Sequence, residues 1–438
     1  MLRRKITDEL IKWKNDPDKM CLLVKGARQV GKTYSISDFG KKNYKNYIYI
    51  NFETSAEKRR IFDGDLSIES LTRKLSVEFP RINLEPGRTL IFLDEIQNCP
   101  NARVAFKTFS MDKSFDVIGS GSLLGVNYKE VSSYPVGYEK SIEMYSLDFE
   151  EFLWALGYKD DLIEHLGKCI SDKMPIEDSI LDRVNECFRW YIIVGGMPNV
   201  VNSYLKTNDF GKVLSMQRDI VSNYMDDITK YAPESDKTKA RRCFMSIPVQ
   251  LGKKNKKFQF SDIEQKKGVG SREYDNSLMW LYDAGIINHC YNLREPALPI
   301  ASNVRLNSYK IYLRDTGLLI SMFEDGIGAL ILDDDIGINE GAIMENAVSD
   351  VLGKQGIMLT YFEKKGGLEV DFVLNIKGKV AALKVKSGNN RQSKSLDALM
   401  HGKYNVERGI KLERSNVSVG EDGIEHYPLF TASFVRFL

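Results

Sequence analysis

The sequence predicts an α/β fold: a three-layer parallel sheet of the P-loop NTPase type, followed by smaller units. Three observations predict it. An apolar run at 20–25 leads into Gly26-Ala27-Arg28-Gln29-Val30-Gly31-Lys32-Thr33 and then into a helix-forming stretch; a second apolar run, Thr89-Leu90-Ile91-Phe92-Leu93, ends in Asp94-Glu95; and strand and helix patterns alternate up to about residue 157. Such alternation implies parallel strands covered by helices on both faces, which is why the strands read as almost continuously apolar.

Taken in order, residues 1–11 alternate charged and apolar residues at helical spacing and predict an amphipathic leading helix rather than a signal segment. The loop at 26–33 has the G-x-x-x-x-G-K-[ST] spacing of a phosphate cradle. Its glycines let backbone N–H groups converge on an anion, Lys32 adds a charge at the β and γ phosphates, and Thr33 offers a hydroxyl to Mg²⁺. ATP and Mg²⁺ are therefore the expected ligands, with residues 26 to 33 and the adjoining Tyr34 as the nucleotide-binding segment. A second strand is expected at 46–52. At the end of the 89–93 strand, Asp94 is expected to hold Mg²⁺ and Glu95 to accept a proton from the attacking water. The next apolar run, 115–122, ends in small hydroxyl residues, and Ser120 is preferred over Ser122 as a sensor of the γ-phosphate, with a plain turn as an equal alternative. Residues 141–147 predict one more strand and 149–156 a helix, closing a core at 1–157.

Residues 158–235 carry helical spacing broken at Gly195-Gly196-Met197-Pro198, where Pro198 lacks a donor and the glycines favour open backbone, so a helical lid is expected there. Residues 236–325 predict a winged-helix unit, with Leu278, Leu281 and Ile286 in its core and wing strands at 287–293 and 309–313. Beside it lie Lys253, Lys254, Lys256, Lys257, Lys266 and Lys267, a basic cluster that reads first as a solvated loop, with DNA phosphates as the alternative it could serve.

The segments Gly26-Ala27-Arg28-Gln29-Val30-Gly31-Lys32-Thr33, Leu93-Asp94-Glu95-Ile96-Gln97, Gly121-Ser122-Leu123-Leu124-Gly125, Leu147-Asp148-Phe149-Glu150-Glu151-Phe152-Leu153, Gly195-Gly196-Met197-Pro198 and Ile311-Tyr312-Leu313-Arg314-Asp315-Thr316-Gly317-Leu318-Leu319 together resemble the AAA-type ATPases of prokaryotes that carry an uncharacterised C-terminal region. The resemblance implies that Gly196 and Pro198 lie near the nucleotide base and that a neighbouring copy supplies an arginine finger. No arginine is assigned to that role, since Pro135-Val136-Gly137 is followed by Tyr138.

Residues 326–438 resemble the PD-(D/E)XK restriction-endonuclease fold. In that family an Asp on one strand and a Glu two residues before a Lys on the next gather Mg²⁺. Asp371, Lys386 and the helix carboxylate Glu345 match, but position 384, where the Glu belongs, is Lys. Residues 384 and 386 share a strand face, so Lys384 points an ammonium where a carboxylate is required. Glu369 is the one nearby substitute. The domain is expected not to cut phosphodiesters.

Bulk properties narrow the classes. At 438 residues several domains are expected. With 62 basic and 60 acidic residues the net charge is +2, so nucleic-acid contact would need a local patch. The cysteines, at 21, 99, 169, 187, 243 and 290, form no C-x-x-C pair and the four histidines are scattered, so neither a disulfide framework nor a zinc site is expected. No apolar run spans a membrane, and a cytoplasmic protein is expected. The leading expectation is a Mg²⁺-dependent ATPase acting as a conformational switch, possible partners being DNA or a protein. Two alternatives stay open: an ATP-dependent DNA-acting nuclease or transposition-like factor, and a regulatory or defence protein that signals through protein contacts with little turnover.

Overall fold

Alternation of apolar side chains along the first five strands builds two cores, one on each face of a sheet. These strands are β1 (Cys21–Gly26), β2 (Asn46–Asn51), β3 (Thr89–Asp94), β4 (Asp116–Ser122) and β5 (Glu139–Glu143). Leu22, Val24, Leu90, Phe92 and Ile118 face one side, where they pack with Ile6, Leu10 and Trp13 of α1 (Lys5–Asn15) and Ile36 and Phe39 of α2 (Lys32–Asn43). Leu23, Ile48, Ile50, Ile91, Leu93 and Val117 face the other. There they meet Leu71 and Leu75 of α3 (Ile68–Glu78), Ala102 of α4 (Pro100–Val104) and Phe106 and Phe109 of α5 (Phe106–Asp112). The computed structural model describes residues 2–122, 137–253, 255–264, 274–333, 340–364, 367–386, 394–404 and 406–438.

The five strands run parallel in the order β2-β3-β4-β1-β5. This is the P-loop α/β fold expected, with one consequence for the site: β4 lies between β1 and β3. The chain divides into two units, one holding residues up to 146 with 283–285, the other 147–282 with 286–438. The first therefore stops short of the expected boundary at 157. The helix Phe149–Ala155, closed by a capping box between Asp148 and Glu151, belongs to the second unit because Phe149 and Phe152 stack on Tyr191, Phe188, Phe430 and Phe434 of that unit. The expected strand at 141–147 likewise ends at Glu143.

In the second unit the helices Asp178–Val194 and Pro198–Thr207 flank the Gly195-Gly196-Met197-Pro198 turn, with Pro198 in the first helical turn. Leu278, Leu281 and Ile286 are buried as expected. The hairpin differs from the expected free wing. β6 (Ile287–Leu293) pairs antiparallel with β7 (Val304–Leu313), which is longer than 309–313, and also runs parallel to β8 (Thr360–Lys364). With β9 (Leu368–Val370) they form the sheet β7-β6-β8-β9, so a boundary at 325 cuts through one hydrogen-bonded sheet. The second sheet runs β10 (Phe372–Ile376), β11 (Lys379–Val385), β12 (Arg408–Glu413), β14 (Glu425–Pro428), β13 (Ser418–Val419). The expected single strand at 368–374 is split at Asp371, since β9 pairs with β8 and β10 with β11. Among the described residues no helix is long and apolar enough to cross a membrane.

Lys354, at the end of the helix Glu340–Lys354, ties this unit together. Its Nζ lies 2.8 Å from Asp350 and 3.9 Å from Asp315, and it donates to the Leu147 carbonyl (3.1 Å) and the Tyr191 hydroxyl (2.8 Å). Asp315 accepts from the Gly196 N–H (2.8 Å), while Asp350 accepts from the Thr316 N–H and hydroxyl. One ammonium thus faces two buried carboxylates, and burial, with Asp315 close by, raises Asp350 to about 7 in spite of Lys354. We predict that Lys354→Met lowers stability by roughly 3–5 kcal/mol, since it leaves buried charge unanswered. Urea unfolding measures this, and the Lys354→Met, Asp350→Asn double variant should cost less than the sum of its parts.

Candidate nucleotide site and candidate C-terminal site

The nucleotide site grows out of the C-terminal ends of β1, β3 and β4, the edge at which open α/β sheets receive ligands. Gly26 ends β1 where no side chain fits, since a Cβ there would meet the Met144 carbonyl oxygen at 2.2 Å. Gln29 (φ 66°) and Gly31 (φ 95°) take left-handed conformations, which turn successive N–H groups to the inside of the loop. Lys32 is buried and its Nζ donates to the carbonyls of Gly26 (3.0 Å) and Ala27 (2.8 Å). Burial pulls its pKa down to about 8, with Glu95 and Asp94 opposing. Arg4 holds the loop from outside, donating to the carbonyls of Val30 (3.0 Å) and Tyr145 (2.7 Å).

Asp94 is the centre of the site. It is buried, and its Oδ2 accepts from the Thr33 hydroxyl (2.8 Å), the Tyr49 hydroxyl (3.0 Å) and the Asn51 amide (3.2 Å). Its Oδ1 accepts from the Glu95 N–H (3.1 Å) and from the Ser120 hydroxyl on β4. Thr33 and Asp94 thus bring two hard oxygens together across the intervening strand, a donor set that fits Mg²⁺. Glu95 follows in a left-handed conformation (φ 52°), a strained choice for a non-glycine residue of the kind that clusters at active sites. Burial raises its pKa, opposed by the Gln97 amide that donates to its carboxylate.

The structure therefore brings Gly26 to Thr33, Asp94, Glu95 and Ser120 into one place, while Ser122 ends the same strand. Leu123, Leu124 and Gly125, with Pro135 and Val136, lie outside the described residues. Sequence reasoning missed Arg4, Tyr49, Asn51 and Gln97. Asn51 was recoverable, because the parallel register sets it opposite Asp94; Arg4 had no local signal. Gly196 and Pro198 belong to the second unit. There the Gly196 N–H and carbonyl are already committed to Asp315 (2.8 Å) and the Leu147 N–H (2.7 Å), and a Cβ would meet the Leu147 oxygen at 2.1 Å.

At the C-terminal site Lys384 makes an ion pair of 2.8 Å with Asp371, whose other oxygen accepts from the Val385 N–H (2.8 Å). Glu345 is held by Lys256, by Lys310 at 3.7 Å and by the Tyr312 hydroxyl (3.1 Å), and Glu369 pairs with Lys310 at 2.9 Å. Burial would raise Glu345, but Lys310 and Lys256 hold it well below the usual carboxylate range; burial and Glu345 push Asp371 up against Lys384. Lys386 sits just past β11, its pKa lowered by burial and by Lys384. Glu369 is thus already answered by Lys310. The basic cluster also changes: Lys256 is turned inward onto Glu345 and Lys253 pairs with Asp262 (2.6 Å); Lys254, Lys266 and Lys267 lie outside the described residues.

Residues 18–153 match a family model described as an AAA domain; residues 185–329 match a Domain of unknown function (DUF8612) and 340–430 a Domain of unknown function (DUF4143). No curated protein matches the chain. Among solved structures, the ORC2 protein of Aeropyrum pernix in its ADP form is 10% identical, with 79% of this chain and 95% of that one covered at a TM-score of 0.30. The ORC1 protein of the same organism, in complex with DNA, is 12% identical over 75% and 93% at 0.29, and AMPPCP-bound DnaA from Aquifex aeolicus 14% identical over 64% and 88% at 0.29. At these identities and TM-scores the likenesses carry no argument about function, and the assignment rests on the family match and on the loop and carboxylate just described. Residues 18–153 thus match the AAA domain family, and the phosphate loop and Asp94 lie within that span.

Proposed function

We propose that the protein is a Mg²⁺-dependent ATPase whose nucleotide state works a conformational switch, and that its C-terminal region engages a partner without cutting nucleic acid. The observation that carries the first part is the 2.8 Å contact of Thr33 with Asp94 beside the buried Lys32. The loop N–H groups and Lys32 bind the phosphates, Lys32 exchanging its loop carbonyls for phosphate oxygens. Thr33 and Asp94 would hold Mg²⁺, which when bound neutralises charge on the phosphates. Glu95 takes the proton of the attacking water, and its raised pKa makes it a stronger base. The Gln97 amide fixes which way its carboxylate faces. Ser120 reads the same centre from β4, because its hydroxyl shares Asp94.

Ion pairing of Lys384 with Asp371 weighs against the nuclease alternative, since the carboxylate a metal would need is already neutralised. DNA remains the partner to be tested first, through Lys257 and the neighbouring lysines of the 253–267 segment. The expected arginine finger and base-contacting turn stay parts of the proposal that assembly would have to complete.

Three outcomes follow from these assignments. Glu95→Gln should bind ATP normally and turn it over about 10²- to 10⁴-fold more slowly; in the wild type the acid limb of kcat should lie above the usual carboxylate range, because the base must be ionised and burial has raised it. Unchanged turnover in Glu95→Gln would remove the base assignment. Steady-state turnover with and without duplex DNA should vanish in Lys32→Ala in both conditions, and stimulation by DNA in the wild type would separate a nucleic-acid switch from a protein-directed one. For the C-terminal site, the full chain should show no Mg²⁺-dependent cleavage, while K384E restores a third carboxylate beside Asp371 and Glu369 and should bind Mn²⁺ measurably by calorimetry. Robust cutting by the wild type would defeat the reading.

A further inference from the structure

Outside both sites, the helix Asp160–Ser171 and the loop after it gather three side chains of metal-ligating chemistry. His165 and Cys169 are four residues apart and so lie on one helix face. Glu177, which begins the helix Asp178–Val194, comes back to meet them: its Oε2 is 2.8 Å from His165 Nε2, and Cys169 Sγ is 3.8 Å from the same nitrogen. All three ligand atoms lie within 4.8 Å of one another. A tetrahedral zinc ion with ordinary bond lengths sets N···O at about 3.4 Å and N···S at about 3.6 Å. The observed distances bracket these values within roughly half an ångström, a shift the exposed Glu177 side chain (62% exposed) can supply.

We infer that His165, Cys169 and Glu177 form a zinc site. Imidazole and thiolate select a borderline-soft cation over Mg²⁺ or Ca²⁺, and three protein ligands leave the fourth tetrahedral position open. Half-exposed His165 and exposed Glu177 give the ion its way in, while buried Cys169 forms the floor. On binding, the thiol S–H bond is exchanged for S–Zn and the proton passes to solvent. The consequence for the fold is local. The loop that zinc would close is the one by which these helices hold the C-terminal sheet: Ser171 donates to the Phe437 carbonyl (3.0 Å), Lys173 pairs with Glu425 (3.2 Å), and Ile176 exchanges two hydrogen bonds with the Asn416 side chain (2.9 and 2.6 Å). Zinc would therefore brace the docking of the C-terminal sheet, a device independent of ATP.

The test uses the full-length, metal-free protein and Co²⁺ as the spectroscopic probe. One equivalent should produce a thiolate-to-cobalt band in the near ultraviolet and tetrahedral visible bands, both lost on adding Zn²⁺, which also raises the melting temperature. Cys169→Ser should abolish the near-ultraviolet band, and His165→Ala and Glu177→Gln should each weaken zinc at least about tenfold; Cys99→Ser, in the first unit, should change nothing. A missing thiolate band, or one that survives Cys169→Ser, overturns the proposal. Should Cys169→Ser fail to fold, the two surface variants decide: zinc affinity unchanged in both would equally overturn it.

Discussion

A buried charge must be answered, and that constraint organises both units. Leaving a carboxylate or ammonium in the interior without a partner costs several kcal/mol, so every such group fixes its neighbours. In the first unit the group is Asp94, met by donors from α2, β2, β4 and its own chain. In the second it is Lys354, which answers Asp350 and Asp315 and through them holds the Gly196 turn, the start of the helix Thr316–Ser321 and Leu147, the first residue of that unit. Segments far apart in sequence are brought into register by these few charges as much as by apolar packing.

Much of the first unit was legible because its signals are local. A phosphate loop needs glycine at set positions, and an apolar strand ending in Asp94-Glu95 announces both its burial and the point where it stops. Strand order was not legible: nothing in residues 116–122 says that β4 inserts between β1 and β3, which is what places Ser120 on Asp94. Arg4 was hidden for the same reason, since its partners Val30 and Tyr145 are distant along the chain. No zinc site was expected because the cysteines form no C-x-x-C pair and the histidines are scattered, and Glu177 comes to His165 and Cys169 only after the chain turns.

Lysines answer the carboxylates gathered in the C-terminal part of the second unit. Lys384 places a positive charge on β11 beside Asp371. Lys384 answers Asp371, Lys310 spans Glu369 and Glu345, and Lys256 reaches Glu345 from a loop that reads in sequence as a solvated basic patch. Ammonium groups do the electrostatic work a metal would do, so the carboxylates stay buried without a cation from solution. The basic run at 253–257 thus has a second meaning invisible in composition: one of its lysines is structural.

The two units also differ in what answers their carboxylates, and the difference bears on which can exchange partners. Asp94 is met by hydroxyls, an amide and a backbone N–H, all neutral, and trading a neutral hydrogen bond for another ligand changes the balance by only about 0.5–1.5 kcal/mol. Tyr49 and Ser120 can rotate away when a cation arrives, while Thr33 need only turn its hydroxyl proton from Asp94 to leave its oxygen facing the ion. Asp371 and Glu345 are met by ammonium groups that would themselves be left buried and unpaired if a cation displaced them, a cost of roughly 3–5 kcal/mol each. By this reasoning Asp94 stands ready to take a ligand, while Asp371 and Glu345 are held by their ammonium partners.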